Sequence, residues 1–294
     1  MINYIFSILL LFWGLLGTPL AIKLAEDFRA MDIPDARKSH KKITPRGAGI
    51  VIWSGYILWA LVMAQYNREI SFISTSATFI FFIGYVDDMH SLPPLVRLFI
   101  QFISAAIVAI PLPLTFFAKL VTLVWITGMI NAYNFIDGMD GLCLTISFLT
   151  SIASLFFFHG ISIWLPLASV IFGVLFWNFP KPKTFLGDGG STLLGFICAS
   201  HIAWSISNFS LRNSYNILIF AFVLLFLGGI PVIDTLVAMT RRILHKKSPF
   251  LPDRGHTHHK LQDAGFSKPA TLFIMSTIHV LFLFLGKYFF SLLL

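Results

Sequence analysis

The sequence has few charged residues and almost no cysteine. Only 12% of its 294 residues are Asp, Glu, Lys or Arg, whereas about a quarter of the residues are charged in soluble domains. The two cysteines provide neither a disulfide framework nor a metal-binding spacing, and the longest loop is too short to fold alone. These absences exclude a water-soluble globule and a disulfide-rich secreted domain.

Apolar residues dominate instead, at 57% hydrophobic and 16% aromatic, with a mean hydropathy of +0.83. The first apolar run has no basic residue before it and no cleavage site after it, so we expect a retained helix rather than a signal peptide. We predict an all-α integral membrane protein, with one polytopic domain over residues 1–294 and about ten transmembrane helices. The predicted spans are 2–22, 47–64, 71–86, 95–113, 115–132, 142–158, 161–179, 190–207, 215–240 and 270–293.

The charges of the loops predict the orientation of the chain. When the ten spans alternate, 17 of the 21 Lys and Arg residues lie on one side or just inside it. The positive-inside rule places that side in the cytoplasm and both termini outside. Most of the carboxylates fall on the same side, so we expect the active site on the cytoplasmic face. The net charge of +8 then reflects cytoplasmic loops, and no nucleic-acid partner is expected.

Two acidic motifs lie at the cytoplasmic ends of predicted helices. GYVDD at 84–88 ends in Asp87 and Asp88. Neighbouring side chains diverge on a helix, so one carboxylate can face a metal and the other a substrate. The alternative for this pair is a solvated helix end.

The second acidic motif is NAYNFIDGMDGL at 131–142. Its polar residues recur every third position, which predicts four oxygen-bearing side chains along one side of a helical segment. Such hard ligands suit Mg²⁺ or Mn²⁺. A polar turn between two helices is the alternative. The four residues are Asn131, Asn134, Asp137 and Asp140.

Two further motifs contain groups suited to phosphate. In FLGDGGST at 185–192, Asp188 opens a helix whose free N–H groups can attract phosphate, although an Asp N-cap with closely packed glycines is equally compatible. In SPFLPDRGHTHHKL at 248–261, the histidines could bind zinc, titrate or hold phosphate. Phosphate or sugar binding is favoured because no cysteine accompanies them. The candidates are Arg254, His256, His258 and His259.

Several isolated residues are weaker candidates. Lys41, Lys42 and Arg46 precede a glycine-containing helix start and could hold a nucleotide phosphate, and Arg97 lies just inside the fourth span. Asp234 follows GGIP at 228–231, where we expect proline to kink the ninth helix and open a lateral groove. An intramembrane carboxylate indicates a site, unless it only satisfies the broken backbone.

The four motifs, in this order, resemble the polyprenyl-phosphate N-acetylhexosamine-1-phosphate transferases of glycosyltransferase family 4. The resemblance extends from Lys38 to Leu261. It implies a ten-helix inner-membrane enzyme that uses Mg²⁺ to move a sugar-1-phosphate from a UDP-amino sugar to undecaprenyl phosphate, with release of UMP. The resemblance also implies contact with membrane lipid, and it is compatible with a homodimer.

The resemblance also assigns residues by position. It implies that Asp188 and Asn134 contact the metal, and that Asp87 and Asp88 lie near the lipid phosphate. It places Asp137 and Asp140 near the nucleotide, with Asp140 close to uracil, and Asn131 is a further candidate for substrate binding. For the diphosphate or sugar, the implied residues are Arg254, His256, His258 and His259.

Two departures from the family pattern bear on these assignments. MHS at 89–91 replaces the charged residue that often follows the Asp pair, and the histidines read His-Thr-His-His. The second feature resembles the branch that initiates O-antigen and teichoic-acid synthesis. Two rival functions are an ion-coupled transporter, which predicts midplane carboxylates and an inverted repeat, and a membrane phosphatase or metallohydrolase, which would use water. His159, His201, His245 and His279 receive no function.

Overall fold

The computed structural model describes residues 2–33, 42–209, 216–248 and 255–294. Within these ranges the chain forms twelve α-helices and one antiparallel hairpin, which pairs Met31 with Pro45 and Asp32 with Thr44. In chain order the elements are α1 (Ile2–Asp27), β1 (Met31–Asp32), β2 (Thr44–Pro45), α2 (Ala48–Met63), α3 (Arg68–Met89), α4 (Pro94–Ala109), α5 (Phe116–Ile136), α6 (Leu142–Phe158), α7 (Ile161–Asn178), α8 (Gly187–Ser207), α9 (Ile217–Leu227), α10 (Gly229–Leu244), α11 (Thr257–Asp263) and α12 (Lys268–Ser291).

The helices are those of a multi-pass membrane protein. Five described helices, α1, α3, α5, α8 and α12, are long and apolar enough to cross a membrane. The bent pair α9 and α10 makes a sixth candidate, and α2, α4, α6 and α7 are apolar but shorter. Each predicted apolar run therefore lies on a helix or on the bent pair. The all-α membrane class is confirmed, whereas the count of ten spans and the side of the termini stay predictions.

Helix α8 lies at the centre of the bundle. In its most apolar window, 94% of the residues are buried, and it packs against α2, α3, α5 and α6. Glycine contacts bring two of these helices to its first turn. A Cβ added to Gly84 would lie 2.7 Å from the Cα of Gly189, and one added to Gly49 would lie 2.8 Å from the Cα of Gly190. The glycines beside Asp188 therefore serve close helix packing.

The predicted ninth span is two helices joined at an angle of 104°. The break lies between Gly228 and Gly229, and Gly229 has a φ of +64°, in the left-handed region that favours glycine. Pro231 lies in the first turn of α10, where its missing N–H breaks no helical hydrogen bond. The predicted kink is present. The left-handed conformation of Gly229 makes the turn, and Pro231 cannot donate the hydrogen bond that a continuous helix would make to the carbonyl of Leu227.

Two segments predicted as loops are partly helical. Helix α5 continues to Ile136, so Asn131 and Asn134 lie on its last two turns. Helix α11 occupies part of the predicted loop 241–269. Asn131 in the first segment and Thr257 in the second have hydrogen-bond partners within the protein, which favours regular structure beyond the apolar runs.

Candidate active site

Asp88, near the end of α3, caps the start of α8. Its carboxylate accepts hydrogen bonds from the backbone N–H of Asp188 at 3.0 Å and of Gly189 at 3.1 Å. Gly187 has a φ of +70°, and a Cβ there would collide with the Asp88 carboxylate. An internal carboxylate therefore takes the positive end of this helix, where the sequence suggested a phosphate. Asp88, rather than Asp188, is the cap.

Arg46 neutralises part of this buried charge. Its guanidinium lies 2.5 Å from Asp88 and 2.6 Å from Asp32. The hairpin of β1 and β2 carries Asp32 and ends next to Arg46, which explains how the loop segment reaches α3. Arg46 thus binds two internal carboxylates instead of standing free for a nucleotide phosphate. Lys42 lies on the exposed surface, and Lys41 lies outside the described residues.

Arg97, at the start of α4, joins the other two carboxylates of the cluster. It forms an ion pair with Asp87 and lies 3.4 Å from Asp188. Asp87 also accepts a hydrogen bond from the N–H of Leu92 at 2.7 Å. The side chain of Asp188 is 34% exposed, against 8% for Asp87 and 2% for Asp88. Asp188 is therefore the carboxylate of this acidic cluster (Asp87, Asp88 and Asp188) most open to a ligand.

Asn134 of α5 lies beside Asp188. The Asn134 side chain interacts with the Asp188 carboxylate and accepts a hydrogen bond from the Ser191 hydroxyl at 3.1 Å. The sequence-predicted metal pair is thus brought together across the α5–α8 contact. No group of three or more His, Cys, Asp or Glu side chains in the described ranges forms a complete metal cage. A magnesium ion with one or two carboxylates and substrate phosphates does not require such a cage.

Asp137 follows α5 directly and faces the same negative charge. Burial, together with the charges of Asp188 and Asp88, raises the pKa of Asp137 well above its ordinary value. A cation is therefore electrostatically favoured at this end of α5.

The prediction that four polar residues line one side of this segment was wrong. Asn131 donates to the side-chain Oε1 of Gln101 on α4 at 2.7 Å, and Asp140 accepts from Lys268 at the start of α12 at 2.5 Å. An α-helix turns by 100° per residue, so every third position drifts around the axis. Asn131 accordingly links α5 to α4, and its role as a substrate ligand stays a prediction.

Asp234 binds the histidine segment. It is buried in α10, and its carboxylate lies 2.7 Å from Nδ1 of His256. Its other oxygen accepts from the backbone N–H of Thr257 at 2.9 Å and from the Thr257 hydroxyl at 2.5 Å. Asp234 therefore caps α11 and fixes the ring of His256, and its role in substrate binding stays a prediction.

His258 is the most enclosed of the three histidines. Its ring lies 4.1 Å from that of His259 and 6.1 Å from that of His256, centroid to centroid. Burial lowers the pKa of His258 to about 3, so the ring is neutral at neutral pH. Neither of its nitrogens has a hydrogen-bond partner within the described chain. A Cβ on Gly138 would lie 2.7 Å from Nε2 of His258, so a glycine at this position leaves room for the His258 ring.

A lateral apolar groove adjoins these polar residues. It has a volume of about 470 Å³ and lies between α5 and the bent pair. Ala132 and Thr235 line it, next to the segments that carry Asn134 and Asp234. A Cβ on Gly128 would meet no atom within 4 Å, so this part of the groove is open.

Comparison with known proteins decides the family. A model described as "Glycosyl transferase family 4" matches residues 70–206. The chain is 33% identical over 292 residues to the Bacillus subtilis "Probable undecaprenyl-phosphate N-acetylglucosaminyl 1-phosphate transferase", covering 91% of this chain and 79% of that protein. The chain belongs to the polyprenyl-phosphate N-acetylhexosamine-1-phosphate transferase family.

Two further relatives agree with this family. A Thermotoga maritima protein named "Undecaprenyl-phosphate alpha-N-acetylglucosaminyl 1-phosphate transferase" is 30% identical over 263 residues, covering 87% of this chain and 80% of that protein. A protein of the same name from Escherichia coli K12 is 28% identical over 293 residues, with 90% and 76% covered. The range matched by the family model, residues 70–206, includes the acidic cluster. The bend and the histidine segment of this transferase lie after that range in the chain.

Sequence reasoning did not single out several residues that build the site. Asp32 shares Arg46 with Asp88, and Lys268 binds Asp140. Ser191 was part of a recognised motif, but its contact with Asn134 depends on helix packing. His279 was assigned no function and lies at the bend of α9 and α10. Arg254, which was predicted to bind the diphosphate or sugar, lies outside the described residues.

Proposed function

We propose that this protein transfers N-acetylglucosamine-1-phosphate, or a close N-acetylhexosamine relative, from a UDP-sugar to undecaprenyl phosphate and releases UMP. Relatives named for this kind of transfer cover most of the chain. The observation that carries the proposal is the position of Asp188, a partly open carboxylate beside Asn134 and Arg97. Such a mixture of hard oxygen ligands and a guanidinium suits a nucleotide diphosphate.

The reaction is a phosphoryl transfer between two anions. A phosphate oxygen of the lipid attacks the β-phosphorus of the UDP-sugar, and a new P–O bond forms to the lipid. The bond from that phosphorus to the oxygen bridging the two phosphates breaks, and UMP leaves with this oxygen. Cations must offset the mutual repulsion of the reactants before in-line attack.

We favour direct attack by the lipid phosphate over a covalent enzyme intermediate. A phosphate monoester loses its second proton with a pKa near 6, so it is already a competent nucleophile at neutral pH. Asp87, the alternative nucleophile, is buried and engaged by Arg97 and by the N–H of Leu92. Those contacts lower its reactivity and suit it to positioning Arg97.

Magnesium is the proposed cofactor, with manganese as the chemical alternative. Asp188 and Asn134 would hold it, because Asp188 offers carboxylate oxygens and Asn134, beside it across the contact of α8 and α5, offers an amide oxygen that here accepts from Ser191. They fit such an ion because the carboxylates of Asp87 and Asp88 concentrate negative charge next to Asp188. When bound, the ion supplies neutralisation of the diphosphate charge.

The groups of this chain then bind and orient the substrates. The guanidinium of Arg97 is 31% exposed and already bridges Asp87 and Asp188, so a substrate phosphate can share it. The neutral ring of His258 offers one donor and one acceptor for the diphosphate or sugar. His259 lies against it at the surface side, and His256 is held for the same ligand by Asp234.

We assign the polyprenyl chain to the lateral groove. Its walls are apolar and belong to α5, α9 and α10, and Ala132 and Thr235 in its lining are near Asn134 and Asp234 along the chain. An isoprenoid chain buried there gains hydrophobic free energy while its phosphate reaches the polar residues. The groove therefore explains how a lipid substrate meets a water-soluble nucleotide sugar.

The proposal includes the cellular setting. We place the site on the cytoplasmic face of the bacterial inner membrane, because the basic loops favour that orientation. The His-Thr-His-His pattern favours the branch that initiates O-antigen or teichoic-acid polysaccharides. A panel of UDP-N-acetylhexosamines with purified protein and Mg²⁺ identifies the sugar as the one that supports the fastest lipid-dependent UMP release.

One assay separates the transferase from its rivals. We expect UMP release only when undecaprenyl phosphate is added to purified protein with UDP-N-acetylglucosamine and Mg²⁺. A phosphatase or metallohydrolase would release phosphate or nucleotide without the lipid, and a transporter would release neither. UMP release that ignores the lipid, or full activity in Asp188→Ala, would contradict the proposed function.

A further inference from the structure

His279 lies at the break between α9 and α10. It is fully buried in α12, and its Nδ1 lies 3.3 Å from the backbone nitrogen of Ile230. Its Nε2 lies 2.9 Å from the hydroxyl of Thr150 on α6. A Cβ on Gly229 would collide with the imidazole. The ring therefore fills the space that the glycine leaves at the turn.

These contacts determine which nitrogen carries the proton. The N–H of Ile230 is in the first turn of α10, where no helical carbonyl accepts it, and membrane-buried backbone has no water to take its place. Because this N–H donates to Nδ1, the imidazole is neutral and bears its hydrogen on Nε2. That hydrogen is then donated to the Thr150 hydroxyl.

The hydrogen-bond network continues to the helix that carries Asn134. The Thr150 hydroxyl donates to the carbonyl of Ile146 at 2.9 Å, so the hydroxyl of Tyr133 at 3.2 Å is a donor to Thr150. Every polar group of this buried chain of contacts is satisfied. The network ties the break to α5, α6 and α12.

The direction of α10 matters because this helix carries Asp234 one turn after Ile230. Asp234 in turn caps α11 and holds His256. We propose that His279 is a positioning residue that fixes the bend and thereby holds the histidine segment at the end of α5, where His256 contacts Phe135 and His258 contacts Gly138. It touches neither substrate nor the reacting atoms in this arrangement.

The test compares variants that keep or remove the acceptor for Ile230. His279→Asn keeps an oxygen near the position of Nδ1, whereas His279→Phe removes both polar contacts at similar volume. We expect His279→Phe to lower kcat at least tenfold and His279→Asn to stay within about threefold of the unchanged protein. Thr277→Val, an exposed polar-to-apolar change on the same helix, is the control.

A distance measurement tests the bend itself. Spin labels at Leu218 on α9 and Leu244 on α10, both exposed, report the angle, and the native Cys143 and Cys198 are buried. We expect a broadened or shifted distance distribution in His279→Phe and an unchanged one in His279→Asn and Thr277→Val. An unchanged distribution and unchanged kcat in His279→Phe would overturn the proposal.

Two provisions keep the outcomes distinct. If His279→Phe is not recovered as folded protein, His279→Gln takes its place, since its amide reaches Thr150 but leaves no acceptor at the Nδ1 position, and the same effects are expected. The kcat measurement rests on the proposed transferase reaction, whereas the distance does not. If the protein without any substitution shows no transferase activity, that result would therefore contradict the proposed function and not the proposal about the bend.

Discussion

Asp88 and Asp188 lie within one cluster, but neutralising each of them should affect the thermal stability of the protein differently. Asp88→Asn removes the ion pair with Arg46 and weakens two hydrogen bonds to the start of α8. Removing one partner of a buried pair costs about 3–5 kcal/mol. The lower end applies because the Arg46 side chain is 22% exposed. At about 2–4 °C per kcal/mol, we expect the Tm to fall by about 6–12 °C.

Asp188→Asn should leave the Tm unchanged or raise it. Its carboxylate is 34% exposed, lies 3.4 Å from Arg97 and has two like charges as neighbours. Neutralising it relieves repulsion while keeping an amide of the same shape. Because the same carboxylate is the proposed ligand for the metal and diphosphate, we expect lipid-dependent UMP release to fall at least a hundredfold.

Thermal unfolding of purified protein in detergent, followed by fluorescence-detected size exclusion, measures both shifts. Turnover is measured on the same samples by UMP release. Glu26→Gln, an exposed change at the end of α1, is the control and should alter neither value. A fall in Tm for Asp188→Asn as large as that for Asp88→Asn would refute the division into a structural and a reactive carboxylate.

Three other perturbations test separate parts of the account. Asp234→Asn should lower kcat by tenfold or more, with a smaller change in KM for the lipid, because His256 loses its charged partner; equal turnover would contradict this. Gly128→Leu should fill the groove and raise the KM for undecaprenyl phosphate about tenfold without changing the KM for the UDP-sugar, whereas a change in the latter alone would exclude the groove as the lipid site. Chelation by EDTA should abolish turnover and added Mg²⁺ should restore it, and activity that survives thorough chelation would exclude the divalent ion.

The membrane class and the helical segments could be predicted because apolar runs of span length have few alternatives. The end of α5 shows where that reasoning stops. Asn131 and Asn134 share residue type and spacing, yet one binds Gln101 and the other faces Asp188. Spacing along a helix gives a direction only relative to its own axis. Which neighbour lies in that direction depends on packing between distant segments.

The acidic pair shows the same limit. Asp87 and Asp88 are adjacent, but the partner of Asp88 is a helix start 100 residues away, reached through glycine contacts. His279 resembled an unremarkable histidine on an apolar helix, because nothing in its local sequence points to the bend. A signal existed at Gly228 and Gly229, where two glycines interrupt an apolar run. Proline predicted the break, but it did not show that Gly229 makes the left-handed turn.

The fate of the β-phosphate tests the central claim most directly. UDP-N-acetylglucosamine labelled with ³²P at the β-phosphate is incubated with purified protein, Mg²⁺ and undecaprenyl phosphate, and the lipid and aqueous phases are separated. The account predicts that the label enters the lipid in equal amount to the UMP released, and that Asp188→Ala abolishes both. Label recovered as UDP or as inorganic phosphate would contradict it.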